Sequence, residues 1–170
     1  VQALPWFEPP PAERVAQADL ILEGEVLSIR SSWNMQRNMI YSVSHVRAYK
    51  VFKGITTISD LDIVTEGGRD GLDMIESTNE WKPVVGQQGI FLLRKSSSVP
   101  DLPFRIRQNV FSCFMATQSI IDYDLNDRTA NSPFLRFTNI PLDLYGTLHS
   151  LTGSYHTDIS TNSRLNQALS

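Results

Sequence analysis

Two long, closely spaced apolar segments restrict the fold of this chain more than any other feature. ADLILEGEVLSIR (18–30) and MIYSVSHVRAYKVFKG (39–54) place β-branched and aliphatic residues at adjacent positions, a pattern typical of strands rather than amphipathic helices. The polar stretch SSWNMQRN between them favours a turn. We therefore predict a long hairpin, with Gly24 at a bend or bulge and a second bulge near His45, where the apolar phase shifts.

Shorter apolar segments follow the hairpin. A third strand is predicted to begin at Leu61, and GIFLLRK (89–95) is the nearly continuous apolar run of a central strand. FRIRQN (104–109) and CFMATQSIIDYD (113–124) add one or two more strands. Roughly five or six strands with hairpin-like links predict a mainly β fold, a barrel or a sandwich.

Other segments are helical or irregular. Residues 1–12 form a Pro-rich lead-in, because their prolines remove hydrogen-bond donors and favour extended geometry. AERVAQA (12–18) can make one or two helical turns. IPLDLYGTLHSLTG (140–153) predicts one late helix, with Pro141 in its first turn, leucines at i, i+4 and i+7, and Gly153 as its stop.

Length and charge limit the architecture and the partners. The chain has 170 residues, which suits one domain, and we assign 13–153 to a single β-barrel domain and 154–170 to a polar tail or linker. Its net charge of -3 indicates no general affinity for polyanions. The lone cysteine, Cys113, excludes an internal disulfide and is predicted to be a small buried hydrophobe. No apolar run approaches the ~20 residues that span a bilayer.

The glycine-rich stretch TEGGRDGLDM (65–74) raises the question of a ligand loop. A phosphate loop would lead into a helix, whereas an irregular connection follows here. A metal site would recruit Glu66, Asp70 and Asp73, at a spacing that fits no established loop. We therefore predict a turn at the rim of a barrel, with Arg69 and Asp70 as exposed charges at the edge of a binding surface.

Two tryptophans are further candidates for binding residues. Trp33 lies at the predicted hairpin tip and Trp81 lies in the polar sequence NEWKP. We predict both to be partly exposed contact anchors, with a lid over the barrel end as the alternative for each.

The sequence DYDLND contains a candidate calcium site. Asp122, Asp124, Asn126 and Asp127 resemble the start of a calcium loop, in which oxygen ligands at alternate positions converge on one cation. Asp127 stands where the tight-turn glycine belongs. The alternative is a solvated corner between strand and turn, since Asp and Asn favour turns. No other cofactor is indicated.

Nothing positive indicates catalysis. The three histidines are far apart in sequence and form no paired ligand motif, and no G-x-S-x-G elbow is present. We therefore predict that the chain is not an enzyme.

A basic stretch offers the best argument for nucleic acid. Between Val26 and Ser59 the chain carries basic residues and no acidic one, interleaved with Trp33, Tyr41 and Tyr49. The basic residues are Arg30, Arg37, Arg47, Lys50 and Lys53. The acidic charge of the whole chain argues against this partner, and a solvated basic face is the alternative.

The strand segments resemble a known family. ADLILEGEVLSI, IYSVSHVRAYKVFKG, LDIVTEGGRDG and VVGQQGIFLLRK, in this order, resemble the N-terminal β-barrel of many secreted bacterial multidomain proteins. That domain is similar in pattern to the netrin-like OB-fold of tissue inhibitors of metalloproteinases. The resemblance covers about residues 14 to 95, and TQSIIDYDLND and LDLYGTL resemble the C-terminal part of the bacterial versions. It implies an OB-like barrel, closed or partly open, with a short N-terminal helical turn and one late helix.

The resemblance does not extend to the inhibitory mechanism. Those inhibitors chelate the protease zinc through an N-terminal cysteine and staple the barrel with disulfides. Here the first residue is Val1, and Cys113 has no cysteine partner. The fold carries over, and inhibition by that mechanism does not.

The resemblance also implies a setting. Bacterial proteins with this barrel often continue into peptidase, adhesive or repeat domains and, in the Bacteroidetes, into a sorting domain for type IX secretion. With the start at Val1, it predicts a secreted or surface-exposed, non-catalytic binding or assembly module that contacts protein or glycan, or packs on a neighbouring domain. The alternatives are an inhibitor or pro-domain for an attached peptidase, and an OB-fold that binds single-stranded nucleic acid.

Overall fold

A computed structural model describes residues 11–78, 80–106, 109–113, 116–133 and 135–170. Most of the predicted Pro-rich lead-in, including Trp6 and Phe7, lies outside the described residues. The strands are β1 (Leu20–Trp33), β2 (Ile40–Lys53), β3 (Asp60–Glu66), β4 (Gly68–Asp70), β5 (Asp73–Ile75), β6 (Gln88–Lys95), β7 (Val110–Cys113), β8 (Ile120–Asp124), β9 (Thr129–Asn131), β10 (Arg136–Phe137) and β11 (Thr157–Asp158). The helices are α1 (Pro11–Gln17), α2 (Gly146–Thr152) and α3 (Ser163–Leu169), with a 3₁₀ turn at Ala116–Ser119 and a π-helical turn at Ile140–Tyr145 that runs into α2.

Five strands close into a barrel. The ladder runs β1–β2–β3–β7–β6 and returns to β1, with β3 and β7 parallel and every other pair antiparallel. Strands β8, β9 and β10 extend the sheet from β6. The mainly β, OB-like barrel predicted from the sequence is confirmed, as are a short N-terminal helix and a late one. The predicted strand FRIRQN lies partly outside the described residues, and its part at 104–106 is not a strand.

The long hairpin of β1 and β2 coils because its register shifts three times. One shift lies between Glu23 and Gly24, as predicted for that glycine. A Cβ at Gly24 would lie 2.8 Å from the carbonyl oxygen of Arg47, so only glycine permits this close strand approach. The shift predicted near His45 is also present, but the unpaired residue is Leu27, on the opposite strand.

Apolar side chains form two layers. One cluster fills the barrel and includes Leu22, Val46 and Phe91. A second lies on the outer face of the sheet, where Ile21 and Ile90 pack beneath the helical segments. Alternating residues of β1 and β6 therefore serve both clusters, which explains their nearly continuous apolar sequence.

The late helix begins and ends where the sequence predicts. The side chain of Asn139 accepts a hydrogen bond from the backbone of Leu142, and Gly153 adopts the left-handed conformation that ends α2. Leu144 and Leu148 are buried in the outer cluster. No helix in the described ranges is long and apolar enough to cross a bilayer.

The segment 154–170 corrects the prediction of a polar tail or linker. Its β11 pairs with β2, and α3 buries Leu165 against the outer cluster. Asn162 is 4% exposed, and its side chain both caps α3 and reaches the interior. The polar composition concealed this because the segment is held by hydrogen bonds and by few apolar side chains.

Candidate functional site

The glycine-rich stretch forms a hairpin, β4–β5, at the end of the barrel where β1 ends and β2 begins. We call it the rim hairpin. Gly67 and Gly68 have φ angles of 96° and 137°, which L side chains rarely adopt. The backbone of Gly67 donates to the carbonyl of Ile40, and its own carbonyl accepts from the hydroxyl of Ser42 at 2.7 Å. The glycines thus turn the chain sharply against the barrel.

Aspartates of the rim hairpin bind the end of β1. Asp70 Oδ2 accepts from the backbone N–H of Trp33 at 3.1 Å and from Ser32 Oγ at 3.4 Å. Asp73 Oδ2 accepts from the indole Nε1 of Trp33 at 3.0 Å. Asp70 is therefore half-buried and anchors the hairpin, which corrects its prediction as an exposed charge. Trp33 is half-buried, with the guanidinium of Arg37 5.4 Å from its ring centre.

A cavity of about 300 Å³ lies between the rim hairpin, the adjoining strands and the connection that leads to β6. We call it the rim cavity. Its apolar walls come from Ile29, Met74, Ile75, Trp81 and Pro83. Polar groups among these walls include Ser31, Ser42 and Thr65, and charged side chains line the cavity as well. A mostly apolar cavity with a few polar groups is the usual form of a ligand site.

Trp81 is not the exposed anchor that the sequence predicted. It is 5% exposed and packs edge-on against Phe91, with 5.5 Å between ring centres. Its Nε1 has no hydrogen-bond partner in the structure as described. Trp81 therefore forms a wall of the rim cavity and part of the barrel core. This role is nearer to the alternative prediction, a lid over the barrel end, than to an exposed anchor.

Arg69 is exposed and lines the rim cavity. Its Nη2 lies 3.5 Å from the sulfur of Met74. The structure thus brings all four predicted binding residues to one end of the barrel, in two roles. Arg69 and Trp81 line the cavity, while Trp33 and Asp70 hold the hairpin that forms one of its walls.

Sequence reasoning missed an acidic pair. Glu66, at the end of β3, and Glu80, before β6, both line the rim cavity. With Thr65 they also line a second cavity of about 480 Å³, next to Cys113. Burial raises the pKa of Glu80, and the neighbouring charge of Glu66 raises it further. In the sequence, Glu66 lies within the glycine-rich stretch and Glu80 lies beyond it, a separation that does not indicate that they meet.

Cys113 is a protected thiol. Burial, with the charge of Glu80, raises its pKa to about 12, so the thiol stays protonated at neutral pH. This agrees with the prediction of a small hydrophobe rather than a nucleophile, although the residue as a whole is half-buried.

The calcium candidate is a turn between β8 and β9. Asp124 Oδ1 accepts from the backbones of Asn126 and Asp127, both at 3.0 Å, and Asp122 accepts from Gln87 Nε2 at 3.1 Å. These carboxylates are used within the protein, and the described residues contain no group of three or more acidic, His or Cys ligands. The structure therefore supports the strand-to-turn corner, and the predicted ligand set is not assembled.

The basic stretch does not form one free surface. Lys50 Nζ pairs with Asp158 at 2.7 Å, and Lys53 Nζ donates to the carbonyls of Val15 and Ala16. The guanidinium of Arg30 lies 4.1 Å above the ring of Phe104. In addition, β11 pairs with β2 and covers part of that strand.

Two sites that contain histidine lie away from the rim cavity. His149 Nε2, on α2, is 2.8 Å from His156 Nδ1 of the C-terminal segment. On the barrel wall, His45 Nδ1 is 3.1 Å from Asp62 Oδ1. Ser28 faces His45 in register, but no hydrogen bond between them occurs in the described structure.

Fold and site define a class: a closed, five-stranded β-barrel with a cavity at one end. A scan against protein-family models and a search of curated proteins find no match to this chain.

Proposed function

We propose that this barrel is a non-catalytic binding or assembly module, and that the rim cavity is where it contacts a protein or glycan partner. The observation that carries the proposal is the cavity itself. Its volume of about 300 Å³ is at the lower end of the range for ligand sites, and apolar walls surround a few polar groups.

Exposed apolar side chains beside the cavity support the proposal. Leu72, at the tip of the rim hairpin, is 99% exposed, and Met74 is 53% exposed. Apolar groups held in water at a hairpin tip have no role in the core. Contact with a partner would remove them from water, which favours association by the hydrophobic effect.

The resemblance to the barrel of secreted bacterial proteins extends the proposal to location. It supports a secreted or surface-exposed protein in which the module packs on or serves a neighbouring domain. The hydrogen bonds of Lys50 and Lys53 within the chain favour a protein or glycan partner over nucleic acid, because both ammonium groups already bind oxygen atoms of this protein.

The proposal is tested by selecting ligands from a displayed peptide library and a glycan array. Ser77 lines the rim cavity and is half-buried, so Ser77→Trp fills the cavity without removing a core side chain. Ser154→Trp, at an exposed position in the C-terminal segment, is the matched control. We expect ligands that bind the wild type and the control and that fail to bind Ser77→Trp. Equal binding to all three proteins, or no ligand from either source, would overturn the proposal.

A further inference from the structure

Among the described residues, the acidic pair of the rim cavity, Glu66 and Glu80, has no hydrogen-bond or ion-pair partner. Arg69 and Lys82 line the same cavity, yet neither pairs with these glutamates. Glu80 is half-buried. A carboxylate that is partly removed from water beside a second carboxylate is costly to keep ionised, and either a proton or a nearby cation lowers that cost.

The walls of the cavity indicate what kind of cation fits. Ile29, Ile75 and Trp81 offer apolar surface next to the carboxylates. A metal ion prefers several oxygen ligands, and no group of three or more acidic, His or Cys ligands occurs among the described residues. A lysine or arginine side chain carries its charge at the end of an aliphatic stem, which matches apolar walls with an acidic pair.

The surroundings indicate how that side chain is presented. The exposed side chains of Leu72 and Met74 lie on the rim hairpin, which forms one wall of the cavity. Apolar residues on either side of a basic residue in a peptide would contact them. The acidic pair also lines the second cavity, but Arg94 and Lys95 line that cavity as well, so the rim cavity is the side from which a basic group approaches the pair.

We propose that the rim cavity receives a basic side chain, flanked by apolar residues, from a partner polypeptide, and that Glu66 and Glu80 bind its charge. The inference rests on the proposed function, since it names the ligand class of the same site. It goes further in excluding neutral glycans and uncharged peptides as the main ligand.

Nuclear magnetic resonance of the isotope-labelled chain tests the proposal. The probe is the capped peptide Gly-Leu-Lys-Leu-Gly, and the matched probes replace Lys by norleucine or by acetyl-lysine. The reporters are the backbone amides of Gly67 and Gly68 and the indole N–H of Trp81, all in the cavity lining. We expect saturable shifts with the Lys peptide and at least about tenfold weaker binding of both neutral peptides.

Three variants complete the test. Glu66→Gln and Glu80→Gln each remove one charge with little change of shape. Each should weaken the binding of the Lys peptide about tenfold. Glu13→Gln, on α1 and outside both cavities, makes the same change of net charge and should leave binding unchanged. Glu66 is exposed, so its variant keeps the test valid if Glu80→Gln does not fold.

The outcomes separate the two proposals. If the norleucine peptide shifts the same signals as strongly, or if the glutamine variants bind normally, the cation inference is wrong and the site remains. If the Lys peptide shifts none of the reporters, the inference is also wrong. The proposed function would then still be supported by selected ligands that lack basic residues and that bind the wild type but not Ser77→Trp.

Discussion

The phenol of Tyr145 donates a hydrogen bond of 2.5 Å to Glu23 Oε2, although the two residues are 122 positions apart. The other carboxylate oxygen accepts from Asn162 Nδ2 at 2.9 Å, and the same amide reaches Gln88. Glu23 is fully buried between the barrel and the outer helical layer. This network therefore joins β1 and β6 to the late helical segment and to the C-terminal segment.

Tyr145→Phe should lower the free energy of unfolding by about 1–3 kcal/mol, because it leaves a buried carboxylate oxygen without its donor. The ring and its contact with Phe52 are retained. Urea unfolding measures the change. Tyr155→Phe is the matched control, since Tyr155 is 75% exposed, and it should change stability by only a few tenths of a kcal/mol. Equal effects of the two variants would contradict the role of the bond.

Glu23→Gln should change how stability depends on pH. Burial raises the pKa of Glu23, and the bonds from Tyr145 and Asn162 only partly offset this. A folded pKa above the unfolded value of about 4.3 means that Glu23 favours folding fully below that pH and loses this contribution as the pH rises through the folded pKa. Glutamine stays neutral. The unfolding free energy of the variant minus that of the wild type should therefore rise as the pH increases above the unfolded value of about 4.3 and level off above the folded pKa, which urea unfolding at a series of pH values measures. A difference that falls with pH would disprove the burial effect.

His156 should make the stability of the fold sensitive to acid. Burial lowers its pKa, and Lys50 and His149 lower it further, against the raising effect of Asp158. Because the folded pKa lies below the unfolded value of about 6.5, the neutral histidine stabilises the fold above that pH, and this stability is lost as the pH falls through the folded value. We expect an imidazole titration midpoint below about 6.5 by nuclear magnetic resonance, and a smaller loss of stability on acidification in His156→Gln. A midpoint above the unfolded value would contradict this.

Gly68→Ala should be far more harmful than Gly71→Ala. A Cβ at Gly68 would overlap the hydroxyl of Ser42 and lie 2.8 Å from that of Ser31, at a φ of 137°. At Gly71 nothing lies within 4 Å, and φ is 61°. Thermal unfolding should show losses of about 2–4 kcal/mol for the first variant and about 1 kcal/mol for the second. Similar losses would mean that the rim hairpin does not pack against β1 and β2 in solution.

Asp70→Ala should loosen the rim hairpin without unfolding the barrel. The variant removes an acceptor for Trp33 and Ser32 that holds the hairpin to β1. Amide hydrogen exchange of Arg69 and Met74 should become about tenfold faster, and exchange in the barrel strands should not change. Asp127→Ala, in the turn between β8 and β9, is the control for loss of one acidic side chain. Uniform acceleration throughout the barrel would show that Asp70 supports the whole fold instead.

The candidate site was only partly predictable. Trp33, Arg69 and Asp70 were found because glycines and a hairpin tip are local signals. The prediction that Trp81 is a partly exposed contact anchor is wrong, since its polar neighbours in sequence do not indicate that its ring enters the core. The acidic pair was missed because Glu80 meets Glu66 only after the chain has folded back on itself.

The turn between β8 and β9 shows a related limit of sequence patterns. The spacing of oxygen ligands in a sequence does not show which hydrogen-bond donors each carboxylate contacts in the folded protein. Asp124 satisfies two backbone donors within its own turn, so its oxygen is used locally.

The sequence alone specified the β-strands of the long hairpin, the bulge at Gly24, the turns at the glycines and the limits of the late helix, because these features depend on local interactions. Side-chain periodicity, positive φ and helix capping each depend on a few adjacent residues. Only the tertiary structure decided the closure of the barrel through the parallel pair of β3 and β7, the packing of segment 154–170 and the bond between Tyr145 and Glu23. These depend on contacts between distant parts of the chain, where burial and hydrogen bonding select one arrangement among many that the local pattern allows.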